Sequence, residues 1–318
     1  MNFADSRSAS KESGSSSSEK GDRWKDWLQN IPDSRKVDDL TIPGTHDTMA
    51  DHGPPWVETQ DNSLKTQLNN GIRFLDIRCR CKNNQFKIHH GYYKLAEFDS
   101  DVLETAYKFL DHNPSEFLIM SIKPEYTPEG CTDDFELILT RYIGPNSYWF
   151  TENRIPTLGE VRKKIILLRR YVGRLGIDAT SWPDNVQYHI DNRFATHVIH
   201  IQDYYSIWTW DIDWKADESL KRMKQSAGMD RSEKSQFFLT FCSGTVKATP
   251  FVIARWSPWG TGVDDYVEKP LAEWYHEKKR TNRCPVGGNK VYCSLGVVIM
   301  DYPLYKGRLV EYLVNMNF

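Results

Sequence analysis

The chain has 318 residues, with 41 Lys plus Arg against 43 Asp plus Glu and a formal net charge of -2. That balance argues against bulk nucleic-acid binding, which leaves a basic footprint. At 39% hydrophobic and 13% aromatic residues a wholly disordered chain is excluded, and the apolar runs 117–122 and 295–300 fall far short of the roughly 18 residues that a membrane span needs.

Residues 1–22 read as a disordered tail. Ser fills eight of positions 6 to 18, and such a segment has too little apolar surface to offset its ordering entropy. No apolar leader core appears there, so a cytoplasmic or peripheral-membrane location is expected. Residues 23–318 read as one domain. Strand-like runs at 39–42, 74–77, 86–89, 117–122, 165–168, 198–201, 237–241 and 297–300 alternate with helical periods. Val102, Leu103, Ala106, Phe109 and Leu110 repeat at three and four before Asn113-Pro114 stops the turn. Phe135, Leu137, Ile138 and Tyr142 form another period, closed by Gly144-Pro145. Strand alternating with helix predicts an α/β fold with a parallel sheet. Eight such strands without a linker favour a closed barrel over an open doubly wound sheet.

Six cysteines, Cys79, Cys81, Cys131, Cys242, Cys284 and Cys293, are few and scattered. Cys79-x-Cys81 is too tight for a zinc pair. Reduced structural thiols are expected in a cytosolic compartment, with Cys284 and Cys293 able to bridge a loop under oxidising conditions.

Polar residues stand at the strand ends. Leu40-Thr41-Ile42 runs into Pro43-Gly44-Thr45-His46-Asp47. Residues 74–77 carry Asp76 and end on Arg78, and 86–88 end on His89-His90-Gly91. Lys123, Arg169-Arg170, Gln202-Asp203-Tyr204-Tyr205 and Asp301 end four more. Alone, a His at a strand end is usually structural and a Lys or Arg a solvated loop charge. In a barrel, however, these ends converge on the rim where active sites are built. Several cations facing one mouth fit a phosphate, and two His fit a general base and a general acid. Phosphodiester cleavage is the chemistry this pattern predicts.

Ile42-Pro43-Gly44-Thr45-His46-Asp47, Phe74-Leu75-Asp76-Ile77-Arg78 and His90-Gly91 resemble the X domain of phosphatidylinositol-specific phospholipase C, in its bacterial single-domain form. Ser121-Ile122-Lys123, Leu168-Arg169-Arg170-Tyr171, Trp182-Pro183-Asp184-Asn185, Gln202-Asp203-x-Tyr205, Ser243-Gly244-Thr245 and Asp301-Tyr302 follow in family order. The resemblance implies a distorted (β/α)8 TIM barrel that cleaves phosphatidylinositol to diacylglycerol and inositol 1,2-cyclic phosphate, with glycosylated phosphatidylinositol as a further candidate substrate.

By position, the resemblance makes His46 the general base, oriented by Asp301, and His90 the general acid, assisted by Asp47. Arg78 would bind the phosphate, with Asp76 beside it at the pocket floor. Lys123, Arg170 and Asp203 would hold the inositol hydroxyls, and Tyr205 would stack on the ring. His89 and Arg169 should point away, since neighbouring strand residues face opposite sides. Metal-dependent relatives carry a carboxylate where Arg78 stands, so the resemblance implies no metal and no cofactor. Trp56 matches a membrane-inserting Trp. A second such element is lost, with Lys247 near its position and Trp256 and Trp259 a little further on. The implied partner is phosphatidylinositol in a membrane surface, bound transiently by a monomer. Two alternatives compete: a catalytically silent inositol-phosphate or membrane-binding barrel, and a metal-dependent phosphodiesterase on the same fold. Retention of both His with Arg78 and Asp301 disfavours the first, and the absent Glu-x-Asp disfavours the second.

Overall fold

A computed structural model describes residues 24–144, 147–246, 248–255, 261–287 and 290–318. The Ser-rich segment 1–22, Lys247, Trp256 and Trp259 lie outside the described residues. In chain order the strands are β1 (Thr41–Thr45), β2 (Phe74–Lys82), β3 (Gln85–His90), β4 (Tyr93–Glu97), β5 (Leu118–Pro124), β6 (Trp149–Phe150), β7 (Ile165–Arg169), β8 (Ile177–Asp178), β9 (Gln187–Ile190), β10 (His197–Gln202), β11 (Ser206–Ile207), β12 (Ser235–Phe241), β13 (Thr245–Val246) and β14 (Gly296–Met300).

One curled sheet runs β6-β7-β5-β2-β1-β14-β12-β10-β9. Every neighbouring pair is parallel except the last, where β9 lies antiparallel on β10. This is the distorted α/β barrel, with one correction: among the described strands β6 and β9 do not pair, so the wall is not closed. The cause is local. β9 runs back along β10, Ile190 opposite Ile199, and occupies the edge that a closing strand would need. A second difference concerns the expected strand 86–89. It is β3, which forms an antiparallel hairpin with the end of β2 (Cys79 opposite Ile88) and adds nothing to the parallel wall.

Period-2 alternation decides which side chains enter the barrel. Ile42-x-Gly44-x-His46, Phe74-x-Asp76-x-Arg78, Ser121-x-Lys123, Leu168-x-Arg170, Ile201-x-Asp203 and Ile299-x-Asp301 share one face. The register shows this: Gly44 pairs with Phe74 and Ile299, Asp76 with Ser121, Arg78 with Lys123, and Ser121 with Leu168. The apolar members of these runs are completely buried, each stabilising the fold by roughly 1.5–3 kcal/mol. On the opposite face, Val298 and Met300 join a separate cluster with Leu220 and Met223, Leu271, and Leu313. Those residues lie on the outer helices Ile212–Gly228, Val263–Thr281 and Leu309–Asn315. Gly44 lets β1 approach β2, since a Cβ there would fall 2.8 Å from Cβ of Phe74.

The helical expectations hold in outline. Helix Glu104–His112 precedes Asn113-Pro114. Helix Phe135–Ile143 begins where the Asp134 carboxylate accepts from the Leu137 amide, a cap that satisfies one orphan donor. It ends at Gly144, whose φ of 44° suits glycine. No described helix is long and apolar enough to cross a membrane.

The expectation of reduced thiols is corrected. Cys81 is bonded to Cys131 and Cys284 to Cys293, while Cys79 and Cys242 are buried free thiols. The first bridge spans 50 positions. It forms because the loop after β5 is drawn beside β2, where the Glu129 amide donates to the Cys81 carbonyl at 3.0 Å.

Candidate active site

The chain makes this site from strand ends. His46, Arg170, Asp203 and Asp301 each stand one residue beyond β1, β7, β10 and β14, while Arg78 is the inward residue at the middle of the long strand β2 and Lys123 lies next to the end of β5. The His46 carbonyl is tied down from the next loop, accepting from Gln60 Nε2 at 2.8 Å and Thr59 Oγ1 at 3.1 Å. Asp47 then takes a positive φ of 43°. Such a conformation costs of order 1–3 kcal/mol in a non-glycine residue and collects at functional sites.

His46 is held at both ring nitrogens. Nδ1 lies 2.8 Å from Oδ1 of the fully buried Asp301, and Arg78 Nη2 lies 2.6 Å from Nε2. An arginine can only donate, so Nε2 is the accepting nitrogen and Nδ1–H donates to Asp301. Burial, reinforced by the Arg78 charge, pulls the His46 pKa down to about 4. At neutral pH the ring is therefore an uncharged base whose lone pair accepts from Arg78 Nη2. Burial pushes Asp301 upward, against the pull of Arg78.

Arg78 is the hub. Its Nε and Nη2 donate to Asp76 Oδ2, both at 3.2 Å, and Nη1 lies 3.1 Å from Asp47 Oδ2. Burial works against its charge, but Asp47 and Asp76 more than offset that and hold the guanidinium above its usual range. Burial likewise opposes ionisation of Asp76, yet Arg78 and Arg170 hold it below the carboxylate range. Asp76 is fully buried beneath both guanidiniums, with Arg170 Nη1 3.7 Å from its Oδ1, and its Oδ2 also accepts from the Asp47 amide at 3.1 Å. Burial pushes the Asp47 carboxyl up in spite of Arg78.

Across Arg78 lies His90, at the end of β3. Its Nδ1 is 2.9 Å from the Val57 carbonyl and 3.1 Å from Asp47 Oδ2, both acceptors, so Nδ1 carries a proton. Lys123 has its pKa lowered first by Arg78 and then by burial. The Arg170 guanidinium carbon lies 3.7 Å from the centre of the Trp182 ring, and the Trp182 indole N–H donates to Asp203 Oδ2 at 3.2 Å. Burial raises the Asp203 pKa. The Tyr205 hydroxyl donates to Asp184 at 2.7 Å; burial and that carboxylate push its pKa up to about 12.

The expected constellation thus assembles: His46, Asp47, Asp76, Arg78, His90 and Asp301 form one connected cluster, with Lys123, Arg170, Asp203 and Tyr205 around it. Arg169 points away, as expected, bonding the Leu175 and Tyr171 carbonyls, and His89 is buried. Trp56 is 61% exposed, on the loop after β1.

Two members of the site have no role in the sequence reading. Trp182 joins Arg170 to Asp203; its motif was visible, but nothing local marks the ring as a platform. Glu125 accepts from the Gly91 amide at 2.9 Å and lies 3.6 Å from Lys123. Its signal was the alternation Lys123-x-Glu125. With Asp47, Asp76, Asp203 and Asp301, Glu125 brings the carboxylates to five against Arg78, Lys123 and Arg170, so the cations are heavily compensated.

Residues 36–171 match the family described as phosphatidylinositol-specific phospholipase C, X domain. The chain is 30% identical over 294 residues to a 1-phosphatidylinositol phosphodiesterase of Listeria monocytogenes, covering 88% of this chain and 81% of the relative. It is also 30% identical over 236 residues to the enzyme of that name from Staphylococcus aureus, covering 68% and 74%. A solved structure concerned with modulating the membrane binding of the S. aureus phosphatidylinositol-specific phospholipase C superposes with a TM-score of 0.73. That match is 24% identical and covers 92% of this chain and 97% of the other.

Proposed function

The chain belongs to the phosphatidylinositol-specific phospholipase C family, and on that premise we propose that it cleaves phosphatidylinositol by metal-independent general base and general acid catalysis. The observation that carries the reading is His46, an imidazole whose Nε2 accepts from Arg78 Nη2 while Asp301 backs Nδ1.

His46 Nε2 takes the proton of the inositol 2-hydroxyl. The freed oxygen attacks phosphorus, the bond from phosphorus to the diacylglycerol oxygen breaks, and His90 supplies the proton to that oxygen. Diacylglycerol and inositol 1,2-cyclic phosphate result; water entering by the same route in reverse opens the cyclic phosphate. Asp301 stabilises the imidazolium that forms. Arg78 exchanges its contact with Nε2 for the phosphate oxygens, supplying preorganised positive charge where negative charge grows. Asp76 fixes the guanidinium from below, and Asp47 does so while orienting His90. Lys123, Arg170 and Asp203 line the inositol pocket, with Trp182 setting the Arg170 plane and Tyr205 at its edge.

The Arg78 guanidinium fills the space between Asp47 and Asp76, where a divalent ion bound by two carboxylates would stand. That supports catalysis without a metal. Docking to a bilayer is supported by exposed aromatics on loops at the same barrel end. Trp56, Tyr92 beside His90, and Trp208 and Trp210 after β11 are all exposed, and such rings suit a membrane interface. Phosphorus NMR of phosphatidylinositol vesicles with excess chelator tests the reading: inositol 1,2-cyclic phosphate should appear. No turnover would favour a binding barrel, and turnover restored only by added calcium would favour metal-dependent chemistry. Parallel assays on glycosylated phosphatidylinositol decide whether that lipid is also cleaved.

A further inference from the structure

Lys215 is a charged side chain with no exposure, set in the apolar stripe of the helix Ile212–Gly228 among Ile212, Ala216, Ser219 and Met223. Burying an ammonium is costly unless it is paired and hydrogen-bonded, so what it touches matters. Its Nζ donates to Gln202 Oε1 at 3.0 Å and to the Tyr204 carbonyl at 2.6 Å. The Gln202 amide is held in turn, its Nε2 donating to Ser219 Oγ at 3.2 Å, one helical turn beyond Lys215. Gln202 and Tyr204 alternate with Asp203 and Tyr205, two residues of the candidate inositol pocket. Lys215 thus grips the outward members of the very segment whose inward members face the substrate, and Asp203 and Asp301 both attract its charge.

We infer that Lys215 is a positioning residue for substrate: by clamping Gln202 and the Tyr204 carbonyl it holds Asp203 and Tyr205 in place to bind the inositol ring. The inference rests on the proposed function for the identity of the ligand, but the clamp itself is independent of it. On the other side of the chain, Asn185 Oδ1 accepts from the Tyr205 and Ser206 amides at 3.0 and 2.9 Å, and the Asp203 amide donates to the Val186 carbonyl at 2.8 Å. Asn185 and Lys215 therefore pin the segment from two sides. Without Lys215 the partly buried Tyr204 carbonyl and the buried Gln202 Oε1 lose their donor and the segment relaxes.

The test replaces Lys215→Met, which keeps the stem and removes the charge and both hydrogen bonds. On soluble inositol 1,2-cyclic phosphate, KM and the inhibition constant of myo-inositol should rise together, by roughly tenfold or more given the usual worth of a hydrogen bond to a charged group, with kcat within about threefold. Hydrogen exchange should quicken at the amides of residues 203–206 and stay unchanged in β14. Unchanged KM in a folded variant, or a fall in kcat alone, overturns the inference. If the Met variant does not fold, Ser219→Ala decides in its place: a smaller rise in KM supports the clamp, and none overturns it. A wild-type protein that turns over no inositol phosphodiester defeats the proposed function; unquickened exchange at 203–206 separately defeats the clamp.

Discussion

Asp301→Asn probes the base most directly. The carboxylate oxygen lies 2.8 Å from His46 Nδ1 and the side chain is fully buried. The imidazolium formed when Nε2 takes a proton gains about 6 kcal/mol from that charge at an effective dielectric constant of 20. An amide oxygen in the same place still accepts from Nδ1–H, so the expected loss is smaller, about 4 kcal/mol, or roughly a thousandfold in kcat. The alternative rotamer is no rescue. It would turn the amide N–H₂ to Nδ1, move the ring proton to Nε2, and set that proton against Arg78 Nη2 at 2.6 Å. KM should stay near wild type, because Asp301 faces His46 and not the inositol pocket. Loss of the anion also lowers the His46 pKa further below about 4, so the acid limb of kcat/KM moves to lower pH. The assay is steady-state hydrolysis of soluble inositol 1,2-cyclic phosphate from pH 4 to 8. A kcat within tenfold of wild type, or an acid limb moved upward, would falsify this account of the dyad.

Stability should carry the same signature. His46 has a folded pKa of about 4 against the ordinary histidine value of 6.5. Between those values the unfolded chain takes up a proton that the folded one refuses, so stability falls as pH drops from about 6.5 to about 4, by about 3 kcal/mol in total. Urea titrations of wild type and His46→Gln at pH 7 and pH 4 should differ by that increment; equal pH slopes would refute it. The disulfides give a third expectation. For sequence separations of 50 and 9, replacing Cys81 and Cys131 with Ser should cost about 4 kcal/mol and replacing Cys284 and Cys293 about 3 kcal/mol in the chain-entropy picture. Equilibrium unfolding checks both, and a larger loss from the shorter loop would contradict that picture. Finally, Trp56→Ala should weaken binding to phosphatidylinositol vesicles several-fold, leaving turnover of the soluble cyclic phosphate within about twofold, since the ring removed is mostly exposed and of the kind that suits a membrane interface. Equal losses in both assays would place Trp56 in the catalytic structure instead.

Much of the site could be read from strand ends because alternation and strand termini are local properties. Arg170, Asp203 and Asp301 each follow an apolar inward residue by two positions, and His46, Arg78 and Lys123 continue the same alternation after Gly44, Asp76 and Ser121, a pattern visible without neighbours. What escaped depended on partners far along the chain. Trp182 matters through Arg170 and Asp203, Lys215 through the Tyr204 carbonyl, and Cys131 through a strand 50 positions away. The long helix Val263–Thr281 was hidden by Pro270 inside it, a residue that ordinarily ends or kinks a helix. The short wall strand Trp149–Phe150 was too brief for any period to show.

The net charge of -2 belongs to the whole chain and says nothing of the site, where Arg78 answers to Asp47 and Asp76 at 3.1–3.2 Å. The sequence by itself determined the inward face of each strand, the polar residues closing it and the family, because side-chain alternation and motif order are written in one dimension. Only the tertiary structure decided that the barrel wall stays open, which cysteines pair, and which tautomer His46 carries. Those outcomes rest on distances between strands remote in the chain, and hydrogen bonds and disulfides form only within a few ångströms.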